Sequence, residues 1–157
     1  MTRDNAHGSR KLLASNRKAF RDYFIEDRVE AGLELLGTEV KSLRAGDVNL
    51  TGAFIRIVNG EAQVFGMNIK PYTYGNQFNH EADRARRLLL HRREIGKLKM
   101  QQEQKGFTLI PLAIYFRRGL AKLEIGVCRG KQQSDKREAL KKKTANREME
   151  RALRYRR

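Results

Sequence analysis

Two kinds of chemistry are open to the reactive side chains of this sequence. His80, Glu81 and Asp83 stand within four positions and would offer a metal-ligating or nuclease patch. His7 and His91 fall at no spacing that completes such a site, and carboxylates in a loop ahead of a helix account for the cluster more simply. Glycine-rich phosphate motifs are absent. Cys128 is the only cysteine, which excludes an internal disulfide and a cysteine metal site. It reads as a buried strand residue and fits a reducing, cytoplasmic setting. On this reading the chain has no catalytic residue, no metal and no cofactor.

The second chemistry is anion recognition. The 34 Lys and Arg outweigh 18 Asp and Glu, for a formal net charge of +16 on 157 residues. A field of that size repels itself, and a polyanion relieves it. The cations gather in three regions: residues 1 to 21, a stretch from Arg84 to Lys99, and the end from Lys131. Together they suggest an extended phosphate-contacting footprint. Phe20, Tyr23, Phe24, Tyr72, Tyr74, Tyr115 and Phe116 lie among them and could stack on bases, although most have a competing place in a core. Zinc-finger spacing is absent. No stretch reaches the length of a membrane-spanning apolar helix, so nucleic acid is preferred to a membrane as partner.

The elements that must carry these groups read as follows. Tyr23, Ile25 and Val29 suggest short strands broken at a turn-like Glu26-Asp27-Arg28, and Gly32 marks a bulge or a close backbone approach. "TEVKSLRAG" reads as a short helix capped by Thr38 and ended by Gly46, with Val40 and Leu43 facing a core and Lys41 and Arg44 facing away. "AFIRIVNGEAQVFGMNI" alternates on both sides of Asn59-Gly60, the signature of a hairpin with a type I′ turn. Residues 83–106 read as one helix carrying Leu88, Leu89, Ile95, Leu98 and Met100, with Gly106 as its stop. A second hairpin turns at Arg118-Gly119, and Pro111 belongs at an edge, a strand start or a bulge. Antiparallel hairpins separated by helices argue for a mainly β chain, a small barrel or curled sheet.

The ordered set "YFIE", "EAGLELLGTEVKSLRAG", "RRLLLHRREI" and "GKQQSDKR" resembles the SmpB family of SsrA-binding proteins over essentially the whole chain. The resemblance implies an OB-like antiparallel barrel with accessory helices and a basic C-terminal tail. It divides the chain into a basic N-terminal arm joining the body (1–21), a tmRNA-binding body (22–130) and a tail that is helical when ribosome-bound (131–157). It implies binding to the tRNA-like domain of tmRNA, delivery with elongation factor Tu to stalled ribosomes, and a tail that senses a vacant mRNA channel beside the 16S rRNA decoding centre. A monomer outside these complexes is expected. The family's RNA-contacting positions fall on Asn16, Arg17, Glu30, Leu89 and Lys122, with Lys41 and Arg44 in support. The tail positions are Lys131, Ser134, Asp135, Lys136 and Arg137, with Met149 and Leu153 on a modest apolar stripe. Ser134 stands where the family often has histidine, and its hydroxyl can bond but not stack. Alternatives to an RNA role stay visible for Glu30 (an internal salt bridge) and Leu89 (a helix core residue). A constitutive basic ribosomal or rRNA-binding protein is the alternative function.

Overall fold

The computed structural model describes residues 10–75, 79–131 and 133–155, and the side chains of these apart from 133–135 and 155. Chain order runs β1 (Arg10–Ser15), α1 (Arg17–Asp22), β2 (Tyr23–Leu33), α2 (Gly37–Arg44), β3 (Val48–Asn49), β4 (Phe54–Val58), β5 (Glu61–Phe65) and β6 (Asn68–Ile69). It continues with β7 (Arg86–Leu89), α3 (Arg92–Gln104), β8 (Thr108–Arg117), β9 (Leu120–Gly130) and α4 (Gln133–Tyr155). Every pairing is antiparallel. Strands β8, β4, β5, β7, β2 and β9 follow one another, and β9 pairs back onto β8, so the hydrogen bonds run round a ring. Strand β1 adds to β8 outside that ring, and β3 with β6 forms a separate two-stranded ribbon. The fold is mainly β with accessory helices, as read from the sequence.

Both hairpins turn where their dipeptides dictate. Asn59 and Gly60 take φ of 51° and 77°, and Arg118 and Gly119 take 51° and 76°, the pair of positive values a tight hairpin turn needs. Pro111 sits at a register shift of β8 against β9, the bulge position at which a strand tolerates proline. The ring encloses Ala31, Leu33, Ile55, Val64, Leu88, Leu109, Ile114, Leu123, Ile125 and Val127. Leu43 of α2 and Leu98 of α3 join the same core. Cys128 is buried with Ala19, Ile110 and Leu112, and burial pushes its thiol up to about 11.

Residues 10–22 form β1, paired to β8, and α1. Three expectations are corrected. Residues 23–33 form one strand rather than short pieces: Glu26-Asp27-Arg28 is absorbed by a bulge between Ile25 and Asp27 against β9. Thr38 does not cap α2. Leu36 is the N-cap, its N–H donating to Glu39 Oε1 at 2.9 Å, while the Thr38 hydroxyl lies 2.9 Å from His80 Nδ1. The helix expected over 83–106 begins only at Arg92, because Arg86–Leu89 is a strand with Arg86 and Leu88 inward and Arg87 and Leu89 outward.

That last correction exposes the fold's buried ion cluster. Glu39 and Arg86 are both fully buried. The Arg86 Nε–H donates to Glu39 Oε2, and its Nη1 and Nη2 donate to the carbonyls of Met67 at 2.6 Å and Ala82 at 2.9 Å. Arg84 Nη2 donates to Glu39 Oε1. Burial alone would raise the Glu39 carboxyl, but the bonds from Arg84, Leu36 and Arg86 outweigh it and hold the group below its usual 4.5. The cluster pins α2 to the start of β7.

Candidate nucleic-acid interface

The outer face of the ring brings three of the expected RNA-contacting residues together. Leu89 on β7 pairs with Gly32 on β2, Gly32 pairs with Lys122 on β9, and Lys122 pairs with Tyr115 on β8. Side chains alternate along a strand, so this cross-strand row points away from the core. Leu89 is 49 % exposed. It is therefore available for apolar contact, and the helix-core alternative is excluded by its place on β7. Gly32 makes that display possible: a Cβ there would lie 3.2 Å from the Leu89 Cβ. The glycine is thus a close approach, while the strand's bulge lies elsewhere.

Glu30 stands two residues from Gly32 on the same face. It accepts from the Tyr115 hydroxyl and from Arg117 Nη1 at 3.1 Å, and Arg10 Nη2 is 3.8 Å away. Burial pushes its carboxyl up, but the Tyr115 hydrogen bond and the Arg117 charge prevail, and the group sits below the usual carboxylate value. Arg10 also covers the Tyr115 ring, 4.8 Å from its centroid. Tyr115 is only 2 % exposed, so it is no stacking platform. The carboxylate and phenol instead fix the cations Arg10 and Arg117 on the face beside Lys122. The internal salt bridge considered for Glu30 is present.

Asn16 is buried, with every polar atom of its side chain engaged. Its Oδ1 accepts from Ala19 N at 3.2 Å, and its Nδ2 donates to the carbonyls of Pro111 at 3.0 Å and Leu50 at 3.4 Å. It is the N-cap of α1. By stitching that helix onto β8 it places the exposed Arg17 and Lys18 on the first turn. Lys41 and Arg44 lie exposed on α2, away from the Leu89–Lys122 row in sequence and element. The ammonium of Lys41 is 5.4 Å from the Tyr72 ring centroid. Among the described aromatics, Tyr74 at 79 % and Phe20 at 41 % are the exposed ones.

The tail helix α4 leaves the body beside α1. Lys131 N–H donates to the Asp22 carbonyl at 2.9 Å, and Lys136 Nζ pairs with the Asp22 carboxylate at 3.2 Å. Arg137 is exposed. Met149 and Leu153 are about two-thirds exposed, at 66 % and 65 %, so their stripe is unpaired with the body. The side chains of Ser134 and Asp135 lie outside the described residues.

The His80–Asp83 cluster is structural. His80 Nε2–H donates to the Ile69 carbonyl at 2.8 Å, and Asp83 accepts from Asn68 Nδ2 at 2.7 Å. The loop leads into β7 and not into a helix, which corrects the helix-terminus explanation. Among the described residues no group of three or more His, Cys, Asp and Glu is placed to hold a metal ion, and no helix is long and apolar enough to cross a membrane.

The model of the family described as SmpB protein matches residues 13–155, which takes in β2, β7, β9 and the tail helix together. The chain belongs to the SmpB family. It is 54 % identical over 149 residues to the SsrA-binding protein of Bacillus cytotoxicus, covering 95 % of this chain and 96 % of that relative. The SsrA-binding protein of Pelobacter propionicus is 52 % identical over 143 residues, covering 91 % and 94 %. A solved structure described as "tmRNA-SmpB: a journey to the center of the bacterial ribosome" matches with a TM-score of 0.65 and 47 % identity, covering 81 % of this chain and 93 % of that one. Within this SmpB-family chain, sequence reading missed Arg10, Arg117 and the Glu39–Arg86 pair. The only signal for the three arginines was the alternation of β1, β7 and β8.

Proposed function

We propose that this chain is a tmRNA-binding adaptor of trans-translation, which holds the tRNA-like domain of tmRNA and carries it to stalled ribosomes. The observation that carries the reading is the family match over 13–155, which joins the outward-facing Leu89–Gly32–Lys122 row and the basic tail helix in one chain. The SsrA-binding relatives and the tmRNA–SmpB structure support it.

On this reading Leu89 contacts an unstacked loop base, the mode by which proteins read irregular RNA. Lys122, Arg117, Arg10 and Arg17 neutralise phosphate. Glu30 and Asn16 act as positioning residues, one ordering the cations of the sheet face and the other aiming α1. Lys41 and Arg44 extend the footprint. The tail, with Lys131, Ser134, Asp135, Lys136 and Arg137 at its root and Met149 and Leu153 farther out, enters the vacant mRNA channel near the 16S rRNA decoding centre. Elongation factor Tu accompanies the delivery complex, and the chain itself makes or breaks no bond.

Binding of the purified chain to a tRNA-like fragment of tmRNA tests the reading. The affinity should far exceed that for an unrelated duplex of equal length at 0.15 M salt, and should fall steeply with salt. Leu89→Ala should weaken the fragment and spare the duplex. Equal affinity for both nucleic acids would overturn specific recognition.

A further inference from the structure

Helix α4 runs 23 residues, and from Arg137 to Arg154 every side chain is exposed. Its near end lies along α1. Lys136, Leu140 and Lys143, spaced to share one helix face, look across a cavity of about 650 Å³ at Lys18, Phe20 and Arg21. Apolar burial does not fix this arrangement, since Leu140 is 58 % exposed and Phe20 41 %. Charge opposes it, because none of the described residues lining the cavity is acidic. Two bonds hold the tail root, from Lys131 N–H to the Asp22 carbonyl at 2.9 Å and from Lys131 Nζ to the Phe20 carbonyl at 3.4 Å. Both start from residue 131, ahead of the helix. Among the described side chains, Lys136 Nζ with the Asp22 carboxylate at 3.2 Å is the only hydrogen bond or ion pair between α4 itself and the body.

Asp22 is the last residue of α1. Its carbonyl therefore holds the exit from β9 while its carboxylate holds the first turn of α4. Arg21, the other cation on that carboxylate, is farther off at 3.5 Å. We propose that Asp22 is the positioning residue of the tail: through Lys136 it docks α4 against α1 in the free protein and so sets the direction in which the helix leaves the body. Without that pair the cations of the two helices face each other uncompensated, and α4 swings away. The Lys136 and Asp22 side chains are 32 % and 20 % exposed. A pair that solvent still reaches shifts an equilibrium by a few-fold at most, so an anion that takes Lys136 from Asp22 releases the helix. The docking belongs to the free chain and needs no RNA. Only its use, aiming the distal tail, rests on the adaptor reading above.

Spin labels on Thr51→Cys and Ala145→Cys of the full-length chain, both at exposed positions, read the direction of α4 by pulsed electron–electron double resonance. Cys128, fully buried, stays in place. The parent should give one narrow distance distribution. Asp22→Asn should broaden it, lowering the ratio of docked to undocked helix by about two- to fivefold, and Lys136→Gln should do the same. The two changes together should go no further than either alone, because both remove one contact. Asp22→Glu, which keeps the charge, should retain the parent distribution. So should Glu138→Gln, which removes an exposed carboxylate of α4 that has no ion pair among the described residues. Melting followed by circular dichroism checks the fold of each variant; where Asp22→Asn does not fold, Lys136→Gln on the tail carries the comparison. A parent distribution as broad as that of the variants overturns the proposal, as do an unchanged distribution in Asp22→Asn or Lys136→Gln and additive effects of the two. Fragment binding by the body is read in a separate assay, so failure here leaves the adaptor reading standing, and failure there leaves the docking of α4 standing.

Discussion

Replacing Glu39 by glutamine removes one charge and almost no volume from the centre of the fold. Arg86, fully buried, then keeps its positive charge with no carboxylate bonded to it, its backbone partners being the carbonyls of Met67, Glu81 and Ala82. Removing one member of a buried ion pair costs about 3–5 kcal/mol, because the survivor stays desolvated. A domain loses about 2.1 cal/mol/K of entropy per residue on folding near its melting point. For 157 residues that is about 0.33 kcal/mol/K, so Tm should fall by about 9–15 °C. Glu34→Gln provides the contrast: its pair with Arg87 spans 3.6 Å and both partners are half-exposed, so the loss should stay below about 1 kcal/mol, or about 3 °C. Thermal melting followed by circular dichroism at pH 7 reads both. The pH dependence carries the same logic. The folded carboxyl lies below its usual 4.5, so its contribution is complete above that pH and is lost as pH falls through the folded value. The parent and Glu39→Gln melting curves should therefore converge in acid. A Tm within 2 °C of the parent at neutral pH would refute the claim that the pair is buried and mutually required.

Gly32→Val should push Leu89 off its resting place, since even a Cβ would stand 3.2 Å from the Leu89 Cβ; fragment binding should drop as far as in Leu89→Ala, while melting shifts by only a few degrees. Gly126→Ala would set a Cβ 2.8 Å from the Leu112 side chain and 2.9 Å from Cys128 Sγ, and such overpacking should lower stability by about 1–3 kcal/mol in urea titrations. Ending the chain after Gly130 should preserve most affinity for the tmRNA fragment, with a shallower salt slope, yet abolish peptide tagging on stalled ribosomes in a reconstituted assay. Full tagging by the shortened chain would remove the case for a working tail.

Much of this architecture was readable because its cues are local. Asn59-Gly60 and Arg118-Gly119 announce their turns within two residues, and the alternation around them points the side chains correctly. The misread parts depend on partners far along the chain. Arg86–Leu89 looks helical because arginines surround three leucines; what makes Arg86 an inward strand residue is Glu39, 47 positions earlier. Strand β1 has no turn linking it to β8, which begins almost a hundred residues later. Glu26 and Asp27 suggest a turn by composition, yet a bulge keeps them outward on a continuous strand. The site was legible as residue types and only in part as roles. Leu89 and Lys122 stand on one face, whereas Asn16 spends its amide inside the protein, a choice set by the carbonyls of Pro111 and Leu50.

Strand β8 makes three pairings, and the one with β9 closes the ring. Closure also requires β9 to meet β2, joining Tyr23 to Gly130. That contact spans most of the chain, so its loop-closure entropy must be met before its ladder bonds form. Until β9 is synthesised, the growing chain holds β2 and β8 with bare edges, the arrangement most open to pairing with another chain. The protein therefore gains its protected surface all at once, when β9 arrives. A chain that stops short of Gly130 is left as an adhesive open sheet and not as a smaller barrel.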